Sequence, residues 1–184
     1  MPANTQKPVT SVLWNDLALV AFLIGLDVVA RLLPHAPGFV PIAASALFAG
    51  RVLKIPALAV VVPLLAMAIS DALLPPESLR TALVIYVALA IPALVGMLSR
   101  RLNGPIVIGG LVLACSLLFF VTTNFAVWAF GTLYPHSLEG LTQCYIAALP
   151  FLDKTVMGDL FWAGALFGGA WVIQNGAMLA GRAR

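Results

Sequence analysis

The sequence predicts an all-α integral membrane protein: one domain of six transmembrane helices with a short second helix and an interfacial or re-entrant segment before the sixth. Three observations predict it. Hydrophobic residues make up 62% of the 184 and charged residues only 9%, at a mean hydropathy of +1.05, far below the roughly 25% charge that a soluble globule carries. The apolar residues are gathered into runs bounded by Pro, Gly and charges, at about 13–33, 40–53, 55–74, 81–99, 105–130 and 157–181. Lys and Arg sort to alternate ends of these runs, as the positive-inside rule requires.

The first run follows a polar start whose one basic residue is Lys7; it is too long for a signal-peptide core and lacks an A-x-A-like cleavage pattern, so it reads as a retained helix. The second holds about 14 residues, short of the roughly 20 that a full span needs, and reads as tilted, partly buried or re-entrant. The third closes on Asp71. In the fifth, Thr122, Thr123 and Asn124 interrupt a Leu- and Phe-rich stretch and must face protein or a wet cavity, since an unpaired buried amide costs about 1–3 kcal/mol. Residues 144–152 are too few to cross a bilayer and contain Pro150, which suggests an interfacial or re-entrant helix before the sixth run, which opens near Asp159.

With the N-terminus in the cytoplasm, Lys7, Arg51, Lys54, Arg100, Arg101, Arg182 and Arg184 fall inside, and only Arg31, Arg80 and Lys154 outside. Both termini are therefore expected in the cytoplasm. The same arrangement leaves Asp16 at the inner end and puts Asp27, Asp71, Glu77, Glu139, Asp153 and Asp159 at or beyond the outer ends. The net charge of +3 is explained by topology, because the basic residues lie singly or in pairs and form no patch for nucleic acid.

Hydrolase, metalloprotease and nucleotide-binding signatures (G-x-S-x-G, H-E-x-x-H, G-x-x-x-x-G-K-[ST]) are missing, so no enzymatic activity is expected and an ATP-driven process would need another chain. Cys115 and Cys144 have no metal-ligand spacing, and neither a cofactor nor a metal is expected. Intramembrane ionisable groups are the candidates for function. Asp27 and Arg31, four residues apart on one helical face, suit either a structural ion pair or contact with a ligand. Asp159 suits either the positive end of its helix dipole or a ligand, and Asn124 either interhelical bonding or a ligand. His35 and His136, each after a proline, and Tyr134 lie at the outer face, where solvated or interfacial roles compete with binding. Asp71, Asn124 and Asp159, beneath the 34–41 loop, are expected to converge on one outward-opening pocket. Small residues at four-residue spacing, Ala21/Gly25, Ala46/Gly50 and Gly164/Gly168, mark faces for close helix approach or for docking another subunit.

RLLPHAPGFVPIAASALFAG at 31–50, ISDALL at 69–74, FFVTTNFAVW at 119–128 and YIAALPFLDKTVMGDL at 145–160 resemble a family of small uncharacterised bacterial membrane proteins. That family is similar in turn to the substrate-binding S-components of energy-coupling-factor (ECF) vitamin transporters. The resemblance implies a bacterial inner-membrane protein that captures a small nutrient, a vitamin or related cofactor precursor, from outside. It implies docking on a transmembrane coupling subunit with two ATPases. By the same resemblance Asp71 matches the end of the third helix and the 34–41 loop is the gate, while the alanine-rich docking motif is only partly present, as Ala21, Gly25 and Val29. The Met-His start of metal-specific relatives is missing, and Cys144 leaves open a corrinoid held by thiolate. The alternative from another class is a non-transporting membrane subunit or assembly factor that binds a larger complex through its small-residue faces.

Overall fold

The structure, a computed structural model, describes residues 9–74 and 78–182; Lys7, Glu77 and Arg184 of the charge reading lie outside them. Among the described residues are six helices: α1 (Val9–Leu32), α2 (Ile42–Val52), α3 (Pro56–Asp71), α4 (Leu79–Leu98), α5 (Pro105–Phe130) and α6 (Leu138–Arg182). Stretches of α1, α4, α5 and α6 are long and apolar enough to cross a membrane. With 11 and 16 residues, α2 and α3 rise about 17 and 24 Å, less than the roughly 30 Å of a hydrocarbon core.

The helix starts follow local chemistry. Asp16 of α1 accepts the backbone N–H groups of Lys54 and Ile55, both at 2.8 Å, and so covers donors left open at the start of α3, whose first residue is Pro56. Ser78 caps α4 by accepting the Thr81 N–H at 3.2 Å. Gly104, at φ +112°, turns the chain into Pro105 at the head of α5.

The short second helix is the centre of the bundle. Every residue of α2 from Ala44 to Gly50 is buried, among α1, α3, α4 and α6. Its close crossing with α4 depends on glycine: a Cβ on Gly50 would overlap the Ala93 carbonyl oxygen, and one on Gly96 the Leu47 carbonyl oxygen. The expected Ala46/Gly50 face is thus used inside the molecule. Gly25, Gly164 and Gly168 have open space where a Cβ would point.

One expectation fails at α6. The helix runs unbroken through Pro150 for 45 residues, about 67 Å, so 138–156 is neither a separate interfacial helix nor a re-entrant one. Proline removes one backbone donor, but α5 holds the helix both before Pro150 and after it, at Tyr145 and at Asp159. Tyr145 donates to the Val121 carbonyl at 2.7 Å, and Cys144 lies 3.5 Å from the Asn124 carbonyl.

The exterior is apolar. Trp14, Leu83, Leu98, Ile106 and Leu138 are all largely exposed, whereas the buried set contains Asp16, Asp27, Ser45, Ser70, Ser116 and Asp159. A molecule with leucine and tryptophan outside and carboxylates inside is matched to a lipid solvent.

Candidate functional site

At the end of the bundle where α1 passes into α2, Arg31 ties three helices together. Its Nη1 donates to Asp71 Oδ1 and to Ser70 Oγ, both at 2.5 Å, and Tyr86 Oη donates to Asp71 Oδ2 at 3.0 Å. Ser70 in turn donates to the Ala66 carbonyl at 2.8 Å, as serines in apolar helices commonly do.

Arg31 therefore does not pair with Asp27, although helical spacing puts the two on one face. Asp27 is fully buried and accepts from Ser45 Oγ of α2 at 2.6 Å, while its Oδ1 is sealed without a partner. The guanidinium is long enough to reach across to α3, and Ser45 sits closer to Asp27 than Arg31 does. A similar serine–carboxylate contact joins α5 to α6, where Ser116 Oγ donates to Asp159 Oδ2 at 2.6 Å. Asp159, like Asp27, is buried.

Beneath the 34–41 loop lies a cavity of about 190 Å³. Arg31 and Asp159 both line it, with Gly38 and Val40 from the loop, Thr155 from α6, and an apolar wall that includes Met67, Leu89 and Phe119. The loop is seated hard on α6. Gly38 has φ +79°, and a Cβ there would collide with the Thr155 side chain; a Cβ on Gly158 would come within 2.9 Å of Phe39 Cα. The Phe39 and Phe161 rings meet at 5.5 Å between centroids.

The expected convergence is realised in part. Asp159 and the loop line one cavity, and Asp71 is bonded to its arginine wall. Asn124 does not join them: its Nδ2 donates to the Phe120 carbonyl at 2.8 Å, one turn back on its own helix. His35 is exposed with Nδ1 2.9 Å from the Ala36 carbonyl, and His136 stacks edge-on against Trp128 at 5.7 Å. Tyr134 is half-buried in the α5–α6 connection and outside the cavity lining. Among the described residues no three His, Cys, Asp or Glu side chains are grouped as a metal would require.

Ser45, Ser70, Ser116 and Tyr86 were not singled out from the sequence. Each is a hydroxyl inside an apolar run, the same signal that drew attention to Thr122 and Asn124.

A second, larger hollow of about 640 Å³ opens between the start of α5 and the last half of α6. Gly104, Gly109, Gly164 and Gly168 line it together with Phe167 and Trp171, and no ionisable residue does.

No curated protein and no solved structure matches the chain. Residues 12–180 match a family of unknown function (DUF6580), a span that takes in all six helices in whole or large part, and the chain belongs to that family.

Proposed function

We propose that this protein is a substrate-binding membrane subunit that captures a small nutrient, a vitamin or related cofactor precursor, from outside the cell. One observation supports this above the rest: a cavity roofed by a tightly seated loop holds both a guanidinium and a carboxylate within an otherwise apolar wall. Keeping both ions there is costly unless they do something, because an apolar lining of the same volume would pack as well. In this reading α1, α4, α5 and α6 cross the bilayer of a bacterial inner membrane with the shorter α2 and α3 packed among them, both termini are cytoplasmic, and the loop is the outer gate. The S-component resemblance adds a partner, a transmembrane coupling subunit with ATPases.

Mass spectrometry of small molecules released by denaturing the detergent-purified chain tests the proposal. A compound released from the wild type should fall about ten-fold or more in Gly38→Leu, whose side chain unseats the loop. Equal release from both proteins, or release of nothing but lipid, overturns it.

The open glycine-lined hollow favours a second reading, a non-transporting subunit or assembly factor of a larger membrane complex. Filling it with Gly164→Leu and Gly168→Leu should then dissolve that complex on native gels while leaving any released compound unchanged.

A further inference from the structure

The roofed cavity has features that narrow what it accepts. Arg31 uses only Nη1 for Ser70 and Asp71, so Nη2 and Nε have no hydrogen bond among the described residues. Asp159 uses Oδ2 for Ser116; its Oδ1 has no bond among the described residues and, unlike Oδ1 of Asp27, is not sealed from the surface. Both groups therefore line the cavity with spare hydrogen-bonding capacity of opposite sign.

Each simpler ligand meets an obstacle. A plain anion would reach Arg31, whose charge Asp71 already offsets, and sit near the Asp159 carboxylate; a plain cation would satisfy Asp159 and leave Nη2 and Nε of Arg31 unbonded; and a purely apolar molecule would strip water from two ions and replace none of it. A metal ion would find one carboxylate beside a guanidinium. At about 190 Å³ the space is also below the roughly 300–1,000 Å³ that drug-sized ligands fill.

We propose that the cavity binds a small two-ended molecule. Its anionic group, a carboxylate or similar, lies on Nη2 and Nε of Arg31; its ammonium group lies on Oδ1 of Asp159; and its short apolar middle packs on Met67, Leu89 and Phe119. This rests on the substrate-binding reading and names the chemistry of the same site. The planar guanidinium gives an oxyanion two parallel donors, and the low-polarity walls strengthen both contacts.

The test is the unfolding temperature of the full chain in lipid nanodiscs. The probes are a series of ω-amino carboxylates of increasing chain length, with n-alkyl carboxylates and n-alkylamines of the same lengths. At roughly ten times Kd, the best-fitting ω-amino carboxylate should raise the midpoint by about 3 °C or more, with an optimum in chain length. The single-charge series should not. Arg31→Gln and Asp159→Asn should each lose the response; since either could fail to fold, Ala43→Leu, which adds bulk to the cavity lining and leaves both charged residues in the chain, should lose it too. No response to any ω-amino carboxylate, equal responses to the single-charge probes, or a response that survives Ala43→Leu overturns the proposal. Separate uptake measurements in cells that carry the gene or lack it, where the coupling subunit and its ATPases are present, keep the two readings apart. Binding without uptake removes transport alone, and uptake of a molecule lacking either charged end removes this inference alone.

Discussion

The two ends of the helical bundle use their charges differently. Where α2 passes into α3, every cationic contact among the described residues ends on a carbonyl, hydroxyl or side-chain amide of a neighbouring turn. Arg51 donates to the Ser99 carbonyl and hydroxyl at 2.5 and 2.8 Å and to the Leu102 carbonyl, and Arg100 to the carbonyls of Gly50 and Leu53, both at 2.7 Å. Asp16 does the matching job for N–H groups. These side chains close off helix ends and have little left to offer a ligand. At the opposite end Arg31 meets side chains, Asp71 and Ser70, beside an unfilled space, and keeps two of its nitrogens free of hydrogen bonds among the described residues. A fold and a binding site place opposite demands on charge. The first wants each ion satisfied internally, the second wants capacity held in reserve.

Substitutions can break that contrast. The largest loss is expected from Gly50→Val at the α2–α4 crossing, where two backbones leave no room for a side chain; a cost of about 3 kcal/mol should appear as loss of folded protein in denaturant titration. Arg100→Ala leaves the Gly50 and Leu53 carbonyls without their donor and should cost roughly 2–3 kcal/mol by the same measurement. The smallest effect belongs to the other end. Arg31 and Asp71 have side chains 20% and 35% exposed, so a double-mutant cycle of Arg31→Gln and Asp71→Asn should give a coupling of only about 0.5–1 kcal/mol. If the Arg31–Asp71 coupling exceeds the Arg100 loss, the division into a structural end and a binding end is wrong.

Much of this was legible in the sequence, and the failures have physical causes. Composition and run length identified the apolar helices, and the bounds of α5 were read without error because Gly104–Pro105 and Gly131 punctuate both ends. The shortness of α2 was visible in its run length, which left partial burial as one of three readings beside a tilted or a re-entrant helix. Asp159 and the 34–41 loop were correctly placed near one space. What a linear pattern cannot show is which of several reachable partners a charged side chain takes. Asp27 and Arg31 share a face, yet each bonds to another helix, because Ser45 and Asp71 happen to lie opposite. Asn124 was misplaced for the opposite reason: an amide can satisfy itself on the preceding turn and needs no partner helix. Pro150 interrupts the helix by local propensity alone, and it is the contact with α5, which no local pattern contains, that carries the helix past it.

The unbroken course of α6 has a mechanical consequence. Thr155 touches the roof loop and Trp171 walls the glycine-lined hollow, and the helix between them spans about 24 Å without a proline. The two hollows therefore share one rod. Lifting the roof away from Thr155 by tilting that rod reshapes the far hollow at the same instant, and a body wedged into the far hollow resists the lifting. The exception is a bend, and the adjacent glycines Gly168 and Gly169 are where one would form most cheaply. Stiffening that joint with alanines would tighten the linkage between roof and hollow, and loosening it would let each end move alone.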